Sequence, residues 1–278
     1  MHFHPLSLVT LPIAICAVLA GATGTRPVLT VPGLVQIRDI LAQLEAPIVS
    51  TLTERINLAT NHSLYANGGQ ELLSFLKQRE VVSAASGRYD YGKLEYPFTQ
   101  PLIAPDISTP SNPFPPGRFH QDSFSGNGNI TAFYIDTLVP FFSSPTSYYY
   151  HLDNSTIDDD AVLNLDATLL ALLSHRAHIG KIVAETKYES NVTGFTTLIE
   201  AQDSAGTRVL VTNTTQEAGV SSQAFTAAAA FSDAWLDAGA LVSNDFASNL
   251  QNATAKLFRE LIDITTEIEI QYLLQRLN

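Results

Sequence analysis

The sequence predicts an all-α fold, and three observations support this prediction. Apolar residues recur at spacings of three and four over several long stretches, which is the period of an amphipathic helix. Convincing pairs of alternating strands are absent, and residues 207–213 are the best single candidate for a strand. Hydrophobic residues make up 45% of the 278 residues, which is enough for a large core.

The first half of the chain predicts three helices and one irregular crossing. The first helix is indicated over residues 34–56, with Pro47 inside it, where the missing N–H should produce a kink. A second helix is predicted over residues 72–82 and a third over residues 130–142. Between residues 87 and 127, seven prolines and several glycines predict a long irregular crossing.

The second half begins with a long helix that extends to residue 190. Ser155 or Thr156 is its predicted cap, since Asp158, Asp159 and Asp160 then fall in the first turn, where the helix dipole favours acids. The remaining helices are expected over residues 195–201, 215–235 and 251–277.

The N-terminus predicts a secreted, extracellular protein. An apolar run over residues 6–19 is followed by Ala20-Gly21-Ala22, which is typical of a signal peptide spanning residues 1–22. A membrane anchor is the alternative, but the run is short for a bilayer span. The folded domain should then cover residues 23–278, without the only cysteine, Cys16, and must be held together by its core.

Six Asn-x-Ser/Thr sequons agree with secretion, because this motif accepts N-linked glycans in secreted proteins. Five of them are predicted to be glycosylated, namely Asn61, Asn129, Asn154, Asn191 and Asn252. The sixth sequon begins at Asn213.

The formal net charge of −12 argues against two classes of partner. Nucleic acids require a basic face, and anionic membrane surfaces attract basic segments, so neither is expected to bind. An anionic ligand would need a local cluster of cations. Arg38, Arg176 and Lys187 each lie at the edge of an apolar stripe and could form such a cluster.

Arg176 and Lys187 lie on one line along the long helix. They are eleven residues apart, and at about 100° per residue this is three turns plus about 20°. The positions between them on that line are Gly180, Val183 and Ala184, two of which are very small. We interpret this line as an open groove in which a substrate would lie.

Glu269 occupies an unusual position for a carboxyl. It follows Thr265 by four residues and is flanked by Ile262, Tyr272 and Leu273. Burial among such neighbours disfavours the charged form and should raise the pKa of the carboxyl.

Asn213 and Glu217 form a second pair spaced by four residues. One interpretation of all these groups is a structural ion pair between Arg176 and either Glu269 or Glu217. The other is a polar pocket inside a helical bundle, which the cost of burying many charges without a ligand favours.

Four segments resemble the all-helical chorismate mutases of fungi and plants: IRDILAQLEAPIVSTLTERI, GRYDYGKLEYPFT, LSHRAHIGKIVAETKYES and ITTEIEIQYLLQRL. They follow the order of that family and cover nearly the whole chain after the N-terminal segment. The resemblance implies a single-domain helical bundle, dimeric as is usual in the family. It also implies conversion of chorismate to prephenate by a Claisen rearrangement, with no cofactor and no metal.

The resemblance assigns the site residues through the family's motifs. Arg38 matches the arginine of IRD, Arg176 that of R-x-H-x-G-K, and Lys187 the lysine of A-E-x-K. The two arginines would clamp the carboxylates of the dianion, and Lys187 and a protonated Glu269 would donate to the ether oxygen. The implied catalytic groups are Arg38, Arg176, Lys187, Glu217 and Glu269, with Asn213 and Thr265 as substrate-binding groups.

Two departures from the family affect regulation and modification. Regulated members bind tryptophan or tyrosine through an Arg pair and a Gly-Ser pair, where this chain has Gly87-Arg88 and Asp160-Ala161. An acid would repel the amino-acid carboxylate, so no such regulation is expected. A glycan on Asn213 would block the pocket, so this sequon is expected to stay unmodified.

Two other functions are alternatives to chorismate mutase activity. His175 and His178, with Glu185, lack a third convergent ligand and are weak as a metal site. The serious alternative is a secreted binding protein that keeps the fold without the chemistry, although Lys187 and Glu269 are both present. Family members with signal peptides are associated with plant-interacting fungi, so the resemblance also implies an effector that diverts host chorismate.

Overall fold

Ten α-helices run through the part of the chain that the computed structural model describes, which is residues 32–58, 60–89, 95–101, 122, 124–142, 158–239 and 245–277. The predictions for residues 1–22, for most of the irregular crossing, for Ser155 and Thr156 and for Asn154 lie outside these ranges. No strand occurs within the described ranges, so the all-α prediction is confirmed.

The helices are α1 (Leu34–Ile56), α2 (Ala66–Ala85), α3 (Asn127–Phe133), α4 (Val139–Phe142), α5 (Asp159–His178), α6 (Gly180–Ser190), α7 (Val192–Glu200), α8 (Ser204–Val211), α9 (Thr214–Asp237) and α10 (Phe246–Leu274). A 3-10 helix, His62–Tyr65, precedes α2, and a π-helical turn, Tyr134–Leu138, joins α3 to α4. The predicted helices thus exist, and their ends differ from the predicted ends by a few residues.

The candidate strand over residues 207–213 is wrong, because this segment forms most of α8. Asp203 starts the helix by accepting a hydrogen bond from the backbone N–H of Gly206 at 2.9 Å. Thr207 and Val211 are buried four residues apart, whereas Val209 is 76% exposed. One buried helical face therefore outweighs the β-propensity of the valines.

The long helix begins later than predicted and is divided in two. Asp158 is its N-cap and accepts from the N–H of Ala161 at 2.9 Å, so Asp159 and Asp160 form the first turn. The helix is interrupted at Ile179, and Gly180 starts α6. Arg176 and Lys187 consequently lie on two successive helices.

The last helix, α10, is the centre of the core. It packs against α5, α6, α8 and α9, and its residues Leu257, Ile268 and Leu273 are completely buried. Helix α1 packs against α5 and α9 on another side. This arrangement brings faces of α1, α5, α6, α9 and α10 towards one another, and the predicted site residues lie on these five helices.

Within the described ranges, the helices are too short or too polar to cross a lipid bilayer.

Candidate active site

Lys187 and Glu269 form the centre of the site. The Nζ of Lys187 donates to Oε2 of Glu269 at 2.6 Å and to the carbonyl oxygen of Val211, the last residue of α8, also at 2.6 Å. Three helices therefore meet at one ammonium group. Glu269 is only 6% exposed, in agreement with its predicted apolar surroundings.

Burial raises the pKa of Glu269 to about 7. The nearby ammonium of Lys187 lowers this pKa and the carboxylate of Glu217 raises it, but desolvation is the largest cause. Below about pH 7 the carboxyl carries a proton and can donate a hydrogen bond, which an ionised glutamate cannot do.

The first turn of α9 forms a second side of the site. Asn213 is its N-cap, and its Oδ1 accepts from the backbone N–H of Gln216 at 3.0 Å. Glu217 follows in the same turn, half-buried, and its charge acts on Glu269. Arg38 reaches this turn from α1, because its Nη2 donates to Oε1 of Gln216 at 3.0 Å.

Arg176 is buried with little compensation for its charge. It is 3% exposed, and its Nη2 lies 4.0 Å from Oε1 of Glu45 on α1. Its Nε has no hydrogen-bond partner among the described residues. Burial lowers the pKa of Arg176, and the carboxylate of Glu45 only partly opposes this.

The first interpretation, a structural ion pair of Arg176 with Glu269 or Glu217, is therefore wrong, because the carboxylate that Arg176 approaches is that of Glu45. Sequence reasoning missed Glu45 altogether. The sequence contained one indication of Glu45: its carboxyl stands next to Leu44 and three residues before Ile48, and both of these are buried core positions.

The predicted groove between Arg176 and Lys187 is filled by α10. A Cβ added to Gly180 would lie 2.9 Å from Cγ2 of Thr265 and 3.4 Å from Cγ of Glu269. Ala184 is completely buried as well. The small residues therefore allow α6 to approach α10 closely at Gly180 and Ala184, and they do not form an open groove.

Thr265 lies at this close approach. Its hydroxyl donates to the carbonyl oxygen of Leu261 at 2.6 Å, so the side chain is already engaged within α10. The neighbouring surface contains an open cleft of about 860 Å³, and Asn213 is one of the residues that line it. Its lining residues are Ser204, Ala205, Arg208, Val209, Thr212, Asn213 and Thr214.

His178 has a structural environment. Its Nδ1 lies 2.7 Å from the carbonyl oxygen of Ser174, and its Nε2 accepts from the backbone N–H of Gly126 at 3.2 Å. Burial is the main reason that the pKa of His178 falls to about 3. In the described part of the chain, no three His, Cys, Asp or Glu residues are grouped so as to hold a metal ion.

Comparisons with known proteins agree with this fold. The chorismate mutase of Schizosaccharomyces pombe is 28% identical over 256 residues, which cover 88% of this chain and 96% of that relative. The cytosolic chorismate mutase 2 of Zea mays is 28% identical over 261 residues, with the same coverage of 88% and 96%. No family model matches the chain.

Solved structures show the same likeness. The Candida albicans chorismate mutase, in complex with L-tryptophan, superposes with a TM-score of 0.71 at 28% identity, covering 89% of this chain and 93% of that chain. The chloroplast chorismate mutase of Zea mays gives 0.65 at 27% identity, covering 89% and 96%.

These comparisons correct the predicted location. The maize proteins are cytosolic and chloroplast enzymes, so the prediction of a secreted protein is wrong. The effector role was inferred from secretion and loses that basis. No Lys or Arg precedes the apolar run over residues 6–19, whereas signal peptides usually begin with a positively charged segment. Glycosylation of the sequons rested on the same premise.

Proposed function

We propose that this chain, which belongs to the all-helical eukaryotic chorismate mutase family, converts chorismate to prephenate at the site around Lys187 and Glu269. One observation carries the proposal: the Lys187 ammonium contacts a buried carboxyl whose pKa is raised to about 7. Two groups would thereby donate to one substrate atom: the ammonium of Lys187 and, below about pH 7, the protonated carboxyl of Glu269.

The chemistry needs positioned donors and no nucleophile. The rearrangement is unimolecular, so catalysis depends on holding the reactive conformer and on stabilising charge at the ether oxygen as its C–O bond lengthens. Lys187 would donate to that oxygen from one side and protonated Glu269 from the other. In the complex, the ether oxygen would replace the contact that the two groups now make with each other.

Two arginines would bind the carboxylates of the substrate. Arg176 is buried, and its Nε is unsatisfied among the described residues, so a carboxylate would supply the missing acceptor. Arg38 donates to Gln216 at the opening turn of α9 and would bind from the exposed side.

Polar groups of lower charge would complete the contacts. Glu217 lies near enough to Glu269 for its charge to raise the pKa of that carboxyl, and it would accept a hydrogen bond from the ring hydroxyl. Asn213 and Thr265 would bind a carboxylate, with the Thr265 hydroxyl turning away from the carbonyl oxygen of Leu261.

The alternative of a catalytically silent binding protein is not favoured. Such a protein would have no need of a buried acid with a raised pKa in contact with a lysine, and maintaining that pair is costly.

A homodimer is the second part of the proposal. Val81 and Val82 are 53% and 72% exposed on α2, and a second copy of the chain would remove this apolar surface from water. Light scattering on the purified protein should give twice the mass of one chain, whereas a single-chain mass at micromolar concentration would exclude the dimer.

Regulation by aromatic amino acids is not expected, although the Candida albicans structure contains L-tryptophan. Asp160 is exposed in the first turn of α5, and Arg88 is paired with Glu95. Tryptophan or tyrosine should therefore leave the half-saturating substrate concentration unchanged. A clear shift with either amino acid would contradict the expectation.

The experiment that tests the function is direct. Purified protein is mixed with chorismate, the decay of chorismate absorbance is followed, and prephenate is identified as the product. Decay no faster than without protein, from a sample that is folded by circular dichroism, would refute the proposal.

A further inference from the structure

A second polar cluster lies on α6 only two residues before Lys187. Glu185 is completely buried there, and both of its carboxylate oxygens are engaged. Oε2 accepts from the hydroxyl of Tyr272 at 2.6 Å and from Nε of Arg276 at 2.9 Å, while Oε1 accepts from Nη2 of Arg276 at 2.7 Å. The carboxylate thus binds the guanidinium at two points and the end of α10 at a third.

Contacts with Tyr188 and Gln202 also fix Arg276 and the end of α10. The guanidinium of Arg276 lies over the ring of Tyr188, 4.1 Å from its centroid. The side-chain amide of Gln202 donates to the carbonyl oxygen of Leu274 at 3.0 Å. The last turn of α10 is therefore attached to α6 and to the residues that follow α7.

Stability alone does not account for this cluster. A buried ion pair seldom stabilises a fold more than apolar residues of similar volume would, because desolvation offsets the attraction. A multiply bonded pair does fix relative position. Gly180 fixes the start of α6 against Thr265, and Glu185 fixes its second half against Tyr272 and Arg276. Two separated contacts of this kind determine both the translation and the rotation of α6 on α10.

The position of α6 on α10 determines where the Lys187 ammonium lies. Its side chain leaves α6 just after Glu185 and must reach Glu269 within 2.6 Å. A small rotation of α6 would move the ammonium away from the carboxyl. We propose that Glu185 and Arg276 are positioning residues that hold the Lys187 ammonium against Glu269, and the catalytic meaning of this proposal rests on the proposed function.

The proposal has an electrostatic consequence at Glu269. The charged groups that act on this carboxyl are Lys187 from α6, which favours its ionised form, and Glu217 from α9, which opposes ionisation. If α6 rotates on α10, the attraction between Lys187 and Glu269 weakens, while burial and the charge of Glu217 still oppose ionisation of Glu269. The pKa of Glu269 should then rise.

The test variant is Glu185→Gln, which keeps the size of the side chain but places an amide against the donors of Arg276. The carboxyl carbon of Glu269 is followed by carbon-13 NMR as the pH is varied, in the wild-type and variant proteins. The matched control is Glu267→Gln, which removes another ion pair of α10, formed at 2.6 Å with Arg208 on α8 and partly exposed. If Glu185→Gln does not fold, Arg276→Lys keeps the charge and removes the two-point contact.

The expected result is a rise in the pKa of Glu269 and a fall in kcat of about tenfold, with a smaller change in KM. The control should change neither. A lower melting temperature with the titration of Glu269 and kcat unchanged would overturn the proposal. The titration needs no turnover, so a wild-type protein that failed to convert chorismate would refute the function and leave the positioning test intact.

Discussion

The interface between α1 and α5 contains two ion pairs that differ in how completely they are satisfied. At one end, Arg55 of α1 pairs with Asp166 of α5. At the other end, Arg176 of α5 lies 4.0 Å from Glu45 of α1. All four residues are buried, so exposure does not distinguish the two pairs.

The Arg55 pair is saturated. Besides Asp166, the guanidinium donates to the hydroxyls of Tyr65 at 2.7 Å and Thr60 at 3.1 Å. Asp166 accepts from the hydroxyls of Tyr65 and Tyr134. Although burial opposes the charge of Arg55, the carboxylate of Asp166 keeps the pKa of Arg55 above its ordinary value. There is no capacity left for a ligand, and we conclude that this pair is structural.

The Arg176 pair is not saturated. Burial lowers the pKa of Arg176, and its Nε has no partner among the described residues. The distance of 4.0 Å to Glu45 is at the upper limit for an ion pair. The difference between the two ends is therefore the number of unused hydrogen bonds. In this fold, an under-satisfied buried cation indicates a ligand site, and a buried cation with every donor engaged does not.

The largest expected effect comes from breaking the saturated pair. Asp166→Ala leaves Arg55 buried without its counter-ion and two tyrosine hydroxyls without an acceptor, so unfolding should become easier by about 3–5 kcal/mol. Denaturant titration measures this loss. Asp160→Ala, at an exposed position of the same helix, is the control and should have little effect. Equal stability of the two variants would contradict the distinction.

Arg176→Ala tests the unsaturated end. Turnover of chorismate should fall by roughly 10²–10³ or more, because a substrate carboxylate loses its buried partner. The fold should lose less stability than in Asp166→Ala, since burial already raises the pKa of Glu45 and the carboxyl can take up a proton. Arg79→Ala, an exposed arginine that bonds to Asn164, is the control. Activity within a few-fold of wild type would remove Arg176 from the site.

The smallest effect is expected at Glu45. Glu45→Gln removes the anion that competes with the substrate for Arg176, so KM should fall about two- to fivefold, which corresponds to roughly 0.5–1 kcal/mol. Steady-state kinetics at fixed pH measure the change. Glu54→Gln, exposed on the same helix, should leave KM unchanged. A rise in KM for Glu45→Gln would mean that Glu45 assists binding.

Much of the fold was predictable because helix period and caps are local properties. The stripe from Leu34 to Ile56 predicts α1, and the segment before Trp235 predicts α9. The strand over residues 207–213 failed because burial against α10, a tertiary effect, decides between helix and strand for a short valine-rich segment.

The sequence predicted which residues belong to the site, but not how all of them pair. Lys187 and Glu269 were both identified, and the structure joins them. The pairing of Arg176 with Glu45, more than a hundred residues away, depends on how α1 docks on α5, which periodicity does not determine. Gly180 was misread for the same reason, since a small residue on a helix predicts equally an empty groove and a close helix contact.

The pH dependence of Glu269 tests the central claim most directly. Its pKa is raised to about 7, so the neutral, donating form exists below that pH and is lost as the pH rises through it. The value of kcat/KM, which reports on the free enzyme, should therefore fall as the pH rises through about 7. Glu269→Ala should lose roughly 10²–10³ in activity at every pH, as expected for a missing transition-state donor.

Glu269→Gln is the deciding variant, because it keeps a neutral donor of similar size at all pH values. We expect it to retain substantial activity and to lose the decline of kcat/KM above neutral pH. A Gln variant as inactive as the Ala variant, or one whose activity still declines with the same pH dependence, would contradict the account of Glu269 as the proton-bearing donor.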